Sequence, residues 1–203
     1  MRRCGHPSIR RRLARLRRRE PIVPTALAAS GVTGIDLRMM DRALWLARRA
    51  AARGEVPVGA VVYRGRRIIA DGWNEREATS DPTAHAELLA IARAGRRLGR
   101  WRLNDCSLAV TLEPCPMCAG ALVNARLGRL LYGALDPKAG ACASLYRIPE
   151  DERLNHAVTV IGGVLDTSCA EVLSAFFRSR RKGRSDAAGA ADVPAPQAQE
   201  IRP

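Results

Sequence analysis

The chain has 203 residues, of which 47% are hydrophobic, and it carries a formal net charge of +14. This length suits one domain with tails, and the hydrophobic content is enough for a buried core. No apolar run approaches the roughly eighteen residues that a membrane-spanning helix needs, so we expect a soluble protein with no membrane partner. The excess of basic residues indicates a polyanionic partner.

The basic charge is concentrated at the N-terminus, where residues 1–38 hold ten arginines and only two acidic side chains. This composition predicts a disordered basic arm. Three other interpretations stay open: a tail that binds RNA, an organellar transit peptide, or a true translation start at Met39 or Met40. We predict one folded domain over residues 39–183, followed by a disordered tail rich in Ala and Pro over residues 184–203.

The chain contains six cysteines, and only Cys115 and Cys118 form a close pair. In a chain of this length without a secretory signal, this usage favours a reducing compartment, and we expect the cytoplasm. The other four are scattered and are predicted to be ordinary thiols: Cys4, Cys106, Cys142 and Cys169.

The first half of the chain is predicted to form a helix, a hairpin and a second helix. Apolar residues at helical spacing predict a helix over residues 40–52, and two β-rich runs joined at Gly65 predict a hairpin. Asp81 and Pro82 are typical of a helix start, so we expect the next helix to run from there to about residues 95–99.

In the second half, continuous apolar runs predict strands that are buried on both faces. These strands cover residues 107–112, 129–134 and 157–165, and helices are predicted over residues 116–128 and 167–184. Strands that alternate with helices after an initial hairpin predict the α/β class. We expect a three-layer α/β/α sandwich with a mixed central sheet and helices on both faces.

Two short motifs bring together residues that can bind a metal. "HAE" places His85 and Glu87 near one predicted helix start, and "PCPMC" places Cys115 and Cys118 in the first turn of another. One imidazole and two thiolates are three zinc ligands, and catalytic zinc sites keep the fourth position open for water. The positive end of a helix also favours the thiolate form of a cysteine.

Glu87 is the predicted proton carrier of this site. Near the N-terminal end of a helix, His85 and Glu87 can both reach a point beyond that end. The carboxylate could then take a proton from the attacking water and deliver it to a leaving nitrogen. Each residue alone has a simpler interpretation, as a capping histidine, a packed or redox-active CxxC pair, or a charge on the helix dipole. Their joint occurrence favours one shared site.

H-x-E followed by P-C-x-x-C is the signature of zinc nucleobase deaminases. Across roughly residues 40–182, the sequence closely resembles the bacterial tRNA-specific adenosine deaminases. The matching stretches are EVPVGAVV, GWN, DPTAHAE, TLEPCPMCAGAL, RLGRLLYGALDPKAGA, LNH and FFRSRR. The resemblance implies a cytidine-deaminase-like fold, one zinc per subunit and a homodimer. It further implies hydrolysis of the wobble adenosine to inosine in the anticodon stem-loop of an arginine tRNA.

The resemblance also implies roles for individual residues around the metal. His85, Cys115 and Cys118 would hold the zinc, and Glu87 would move protons. Asn74, in "GWN", would hydrogen-bond the flipped base.

Further residues are assigned to the substrate by the same resemblance. Val56, Pro57 and Val58 would shape the base pocket, and Asp136 would lie by the nucleotide backbone. Each has a simpler interpretation, because the valines could be ordinary core residues, and Asp136 or the asparagine of "GWN" could only form a turn.

The last predicted helix ends in "FFRSRR", where Phe177, Arg178 and Arg181 would contribute to binding of the anticodon loop. The arginines could instead be only the basic end of a helix. Aromatic residues make up only 4% of the chain, which argues against a broad surface for base stacking. Recognition is therefore expected to rest on loop shape, pocket fit and phosphate contacts. Phosphate contacts in turn predict strong salt sensitivity.

Two other functions stay open as alternatives. A deaminase of free cytosine, guanine or a nucleoside would use the same metal chemistry, but a free base offers no phosphates to the basic residues. A catalytically silent subunit that binds zinc and RNA would have no need of Glu87.

Overall fold

A computed structural model describes residues 31–190, which form a five-stranded sheet between two layers of helices. The strands are β1 Gly59–Arg64, β2 Arg67–Trp73, β3 Ser107–Leu112, β4 Arg129–Ala134 and β5 Thr159–Ile161. Their order in the sheet is β2-β1-β3-β4-β5. Strand β1 is antiparallel to both β2 and β3, whereas β3, β4 and β5 are parallel.

Helices cover both faces of the sheet. The α-helices are α1 Gly34–Ala51, α2 Arg76–Thr79, α3 Ala86–Leu98, α4 Pro116–Asn124 and α5 Asp166–Ala190, with a 3-10 turn at Ile148–Glu150. Helices α1 and α5 pack on one face of the sheet, and α3 and α4 pack on the other. The predicted α/β/α sandwich with a mixed sheet is therefore confirmed. Among the described residues, no helix is both long enough and apolar enough to cross a membrane.

Alternate residues of the central strands belong to opposite layers. Ala60 and Val62 of β1 pack in the core beneath α3 and α4, whereas Val61 packs in the core beneath α1. A strand buried on both faces needs apolar residues at every position, which explains its unbroken apolar run. Helix α1 lies so close that a Cβ on Gly59 would be 2.1 Å from the carbonyl oxygen of Ala43.

Helix α1 begins inside the segment predicted to be a disordered arm. Thr33 caps the helix, since its Oγ1 accepts from the N–H of Asp36 at 3.3 Å and its own N–H donates to that carboxylate at 2.7 Å. Arg129 also donates to Asp36, at 2.9 Å. The helix therefore starts at Gly34, ahead of the domain start predicted at residue 39. Residues 1–30 lie outside the described part of the chain.

The predicted start of helix α3 is also wrong. Asp81 Oδ1 accepts from both the N–H and the hydroxyl of Thr83, each at 2.7 Å, so this carboxylate caps a turn that includes Pro82. The helix begins at Ala86, and His85, with an extended backbone at φ −76° and ψ 147°, is its N-cap. His85 consequently stands at the very end of the helix.

Three other predicted boundaries shift near the C-terminal part of the domain. The strand predicted over residues 157–165 is only β5, because Gly162 follows it and Gly163 turns the chain at φ +80°. Helix α4 ends at Asn124, before the predicted end at residue 128. Helix α5 continues to Ala190, beyond the predicted start of a tail at residue 184, and the part of that tail after Ala190 is outside the described residues.

None of the scattered cysteines in the described residues forms a disulfide. Cys106, Cys142 and Cys169 are free buried thiols, as predicted, and Cys4 lies outside the described part of the chain.

Candidate active site

The site lies at the carboxyl end of β3, where helices α3 and α4 both begin. Carboxyl ends of parallel strands are the usual place for ligands in α/β folds. A cavity of about 230 Å³ opens there. It is lined by Val56, Val58, Asn74, Arg76, His85, Glu87, Leu112, Glu113, Cys115, Asp136 and Ala139.

The three predicted metal ligands meet at this point. His85 Nδ1 lies 3.8 Å from Cys115 Sγ and 3.5 Å from Cys118 Sγ, and all three ligand atoms lie within 4.8 Å of one another. A tetrahedral zinc with ordinary Zn–N and Zn–S bonds holds its nitrogen and sulfur ligands about 3.6 Å apart. The spacing therefore fits one zinc ion bound by these three residues, and the residues 31–190 offer no fourth ligand in this group.

Without a metal, the three side chains shift one another's pKa values. The hydrogen bond from Cys118 lowers the pKa of the Cys115 thiol to about 4, and His85 acts in the same direction. The same contact and burial raise the pKa of Cys118, while the contact with Cys115 raises the pKa of His85. Cys115 is the N-cap of α4 and Cys118 lies in its first turn, where the helix dipole favours a thiolate. Thiolate and imidazole are preferred zinc ligands.

Glu87 occupies the first turn of α3 and forms part of the cavity wall. Only 4% of its surface is exposed, and this burial raises the pKa of its carboxyl group. Its position beside the ligand cluster lets it exchange a proton with a molecule bound in the cavity. Because His85 is the N-cap and Glu87 lies two residues further, both side chains reach the same space at the helix end.

Most of the predicted substrate-binding residues also surround the cavity. Asn74, Val56, Val58 and Asp136 line it, and Pro57 is buried between the two valines without reaching the wall. The N–H of Asn74 donates to the carbonyl of Val58 at 3.1 Å, which joins the two segments. The carboxylate of Asp136 accepts two backbone N–H groups of the turn that follows, so it is a turn former as well as a cavity residue.

The residues predicted on the last helix lie away from the cavity. Phe177, Arg178 and Arg181 are exposed on α5. Arg178 borders a separate groove together with Leu135, which immediately precedes Asp136. The structure thus brings Arg178 near the loop that carries a cavity residue, whereas Phe177 and Arg181 line neither space.

Glu113 organises the far wall of the cavity, and the sequence pattern did not indicate it. Only 2% of its surface is exposed. It accepts five hydrogen bonds: from the backbone N–H groups of Asp136, Cys142, Ala143 and Ser144 at 2.7–3.0 Å, and from the Ser144 hydroxyl. Burial opposes ionisation, but these hydrogen bonds outweigh it and lower the pKa of Glu113. A Cβ on Gly140 would lie 2.2 Å from this carboxylate.

The loop that follows β4 is therefore wrapped around one buried carboxylate. The only signal in the sequence was an acidic residue between a buried strand and "PCPMC". Arg76 and Glu55 were missed as well: Arg76 lines the cavity, and Glu55 is a buried carboxylate behind Asn74.

Two helix ends bring a histidine, two cysteines and a carboxyl group together beside one cavity. This arrangement defines a zinc-dependent nucleobase deaminase. The family model for the cytidine and deoxycytidylate deaminase zinc-binding region matches residues 34–134. The tRNA-specific adenosine deaminase of Bacillus subtilis (strain 168) is 47% identical over 152 residues, which are 75% of this chain and 94% of that protein. The corresponding protein of Haemophilus influenzae is 46% identical over 156 residues, or 76% and 90% of the two chains.

A solved structure is also similar to this chain. It comes from a study of A-to-I editing by tRNA:A34 deaminases at the wobble position of transfer RNA. It superimposes with a TM-score of 0.65 at 45% identity and covers 67% of this chain and 99% of the other. The chain therefore belongs to the family of tRNA-specific adenosine deaminases, as the sequence motifs predicted.

Proposed function

We propose that this protein removes the amino group of the wobble adenosine of a tRNA by zinc-dependent hydrolysis, which yields inosine and ammonia. The observation that carries this proposal is the position of Glu87 in the wall of the same cavity as His85 and Cys115, with Cys118 Sγ 3.5 Å from His85 Nδ1. Membership of the tRNA-specific adenosine deaminase family supports the choice of adenosine and of tRNA.

The reaction uses the residues of the cavity in separate roles. His85, Cys115 and Cys118 would hold zinc, which supplies the Lewis acidity that makes water a nucleophile near neutral pH. Glu87 accepts the proton that the attacking water loses at C6 of the base. It then donates this proton to the amino nitrogen, which leaves as ammonia, so that the carboxyl group returns to its starting state.

The size of the cavity supports a single base as the bound group. At about 230 Å³ it is smaller than the roughly 300–1,000 Å³ of ordinary ligand pockets. Val56 and Val58 would contact the base, and Asn74 would hydrogen-bond it, while Asp136 would lie beside the nucleotide backbone. A base reaches such a pocket only after leaving its stack, which an anticodon loop readily allows.

We propose the anticodon stem-loop of an arginine tRNA as the bound region, with Phe177, Arg178 and Arg181 in contact with the loop and its phosphates.

We also propose a homodimer, which is supported by an exposed, largely apolar groove between α3 and α4. Trp101, with 55% of its surface exposed, forms part of that groove. The cytoplasm is the proposed location, and the deaminase domain is proposed to begin at Thr33.

One experiment tests the central proposal. Protein of measured zinc content is incubated with an arginine-tRNA anticodon stem-loop that has adenosine at the wobble position, and inosine is quantified beside a Glu87→Ala variant. Inosine from the unmodified protein alone supports the proposal. Turnover of free cytosine or guanine at rates that match the RNA would favour a free-base deaminase. RNA binding with zinc but without inosine would favour a catalytically silent subunit.

A further inference from the structure

Glu55 is a buried carboxylate that the proposed chemistry does not use. Only 1% of its surface is exposed, and it immediately precedes Val56 in the cavity wall. Its Oε2 accepts from Asn74 Nδ2 at 3.1 Å and from the N–H of Glu77 at 3.2 Å. Its Oε1 accepts from the N–H of Ala78 at 2.8 Å. A carboxylate withdrawn from water requires such partners, so each contact is costly to break.

The contacts with Glu77 and Ala78 show that Glu55 also caps helix α2. The formal N-cap of that helix, Glu75, makes no side-chain capping hydrogen bond. The free N–H groups of the first turn are satisfied instead by a carboxylate from a distant segment. Arg76, which lines the cavity, belongs to the same turn and is held in place with it.

The same carboxylate determines which way the Asn74 amide faces. Both oxygens of Glu55 already accept a backbone N–H, so each serves as an acceptor on this side of Asn74. Asn74 must therefore turn its NH₂ group toward Glu55. A flipped amide would place its oxygen against the carboxylate, with two acceptors in contact. The positions of the Asn74 amide oxygen and of its second amide hydrogen at the cavity are therefore fixed.

We propose that Glu55 is a positioning residue that sets base selection by locking the Asn74 amide in one orientation. This inference rests on the proposed function, in which Asn74 binds the base. An amide held in one orientation presents its donor and acceptor in one order, which fits one base edge and rejects an edge where donors and acceptors are exchanged. Residues that act through one contact are expected to give strongly non-additive effects.

The test is a double-mutant cycle on inosine formation. Glu55→Gln keeps the shape and one acceptor oxygen but lets the Asn74 amide flip. We expect kcat/KM on the stem-loop to fall between tenfold and about a hundredfold, mostly in kcat, because the phosphate contacts are unchanged. In an Asn74→Ala background the same change should cost less than about twofold. Glu75→Gln is the matched control, since Glu75 pairs with Arg93 outside the cavity, and it should stay near the unmodified rate.

A second measurement tests the Glu55–Asn74 contact through protein stability and does not depend on catalytic activity. Asn74→Asp places a second carboxylate against Glu55 and should lower Tm by several degrees. Adding Glu55→Gln should raise Tm again, because the new amide can donate to the new carboxylate while its oxygen still accepts from α2. Zinc content should stay at one per chain in all variants.

The outcomes separate the two proposals. Additive losses in kcat/KM, or a Tm that falls further in the Glu55→Gln/Asn74→Asp protein, would overturn the positioning role. An unmodified protein that makes no inosine would refute the proposed function and the role of Glu55 in base selection together. Recovery of Tm in that case would still establish the Glu55–Asn74 contact.

Discussion

Cys118 Sγ lies 3.5 Å from His85 Nδ1, although the two residues are 33 positions apart and belong to different helices. The N-terminal ends of α3 and α4 converge because the helices pack side by side on the same face of the sheet. Each helix contributes its N-terminal end, where side chains of the first turn point beyond the helix and where the dipole favours anionic ligands. The metal chemistry of the protein depends on this convergence.

Removal of one ligand should therefore abolish stable zinc binding. In Cys118→Ala we expect zinc, measured by mass spectrometry of the dialysed protein, to fall from about one per chain to a trace, since two ligands hold zinc poorly. Cys106→Ala is the control, because Cys106 is equally buried but lies outside the site. Full zinc occupancy in Cys118→Ala would contradict the assignment of the ligands.

Glu87→Gln should separate chemistry from binding. The amide cannot accept and return the proton, so we expect kcat for inosine formation to fall about 10²- to 10⁴-fold. Zinc content and affinity for the stem-loop should stay within about twofold of the unmodified protein. Glu77→Gln, an exposed change in a neighbouring helix, serves as the control. An active Glu87→Gln enzyme would rule out Glu87 as the proton carrier.

Glu113→Ala should destabilise the protein more than any exposed substitution. It leaves the N–H groups of Cys142, Ala143 and Ser144 without their acceptor, and we expect the free energy of unfolding to fall by roughly 3–5 kcal/mol. Denaturant titration measures this change, and faster hydrogen exchange at residues 142–144 should accompany it. Glu152→Ala, at an exposed position, should change the free energy by less than about 0.5 kcal/mol. Equal effects of the two would refute the role of Glu113.

Asp36 should make stability depend on acid pH. Burial opposes its ionisation, but hydrogen bonds from Tyr63, Thr33 and Arg129 outweigh burial and lower the pKa of Asp36 below its ordinary value of 3.8. Because the pKa of Asp36 is lowered in the folded state, its ionised carboxylate contributes fully to the free energy of unfolding above pH 3.8. This contribution is lost as the pH falls below that value. Denaturation of the unmodified and Asp36→Asn proteins should differ by about 1–3 kcal/mol at pH 7. A difference that stays constant down to pH 2 would contradict this assignment.

The proposed RNA contacts of α5 can be tested through salt dependence. If Arg178 and Arg181 bind phosphates, each change to Ala should reduce the slope of log Kd against log salt by about 0.7. Fluorescence anisotropy with a labelled stem-loop measures the slope. Arg153, which is exposed and paired with Asp151, provides a control that should leave the slope unchanged. Unchanged slopes for both α5 variants would place the RNA elsewhere.

Local patterns in the sequence predicted much of this fold. The runs that became β3 and β4 were placed at their observed bounds, because strands buried on both faces have unbroken apolar sequences. His85 and Cys115 could be paired before their distance was known, because zinc restricts both the type and the number of its ligands. The start of α3 was misplaced because Asp81 caps a turn with the same chemistry that it would use to cap a helix.

Long-range polar contacts could not be predicted in this way. Glu55 and Glu113 bind mainly backbone N–H groups, which every residue except proline carries, so no residue type in the sequence marks their partners. Their targets are also distant loops whose positions depend on the complete sheet. The metal ligands were therefore visible in the sequence, whereas the two carboxylates that hold the walls of the cavity were not.

The close approach of Gly140 to Glu113 has an evolutionary consequence. Any side chain at position 140 would occupy the space of the carboxylate, and any shorter residue at position 113 would strand the N–H groups around it. Neither residue can therefore be replaced alone without a steric clash or a loss of hydrogen bonds. In lineages that descend from a common ancestor with this chain, replacement at one of these positions should be accompanied by replacement at the other.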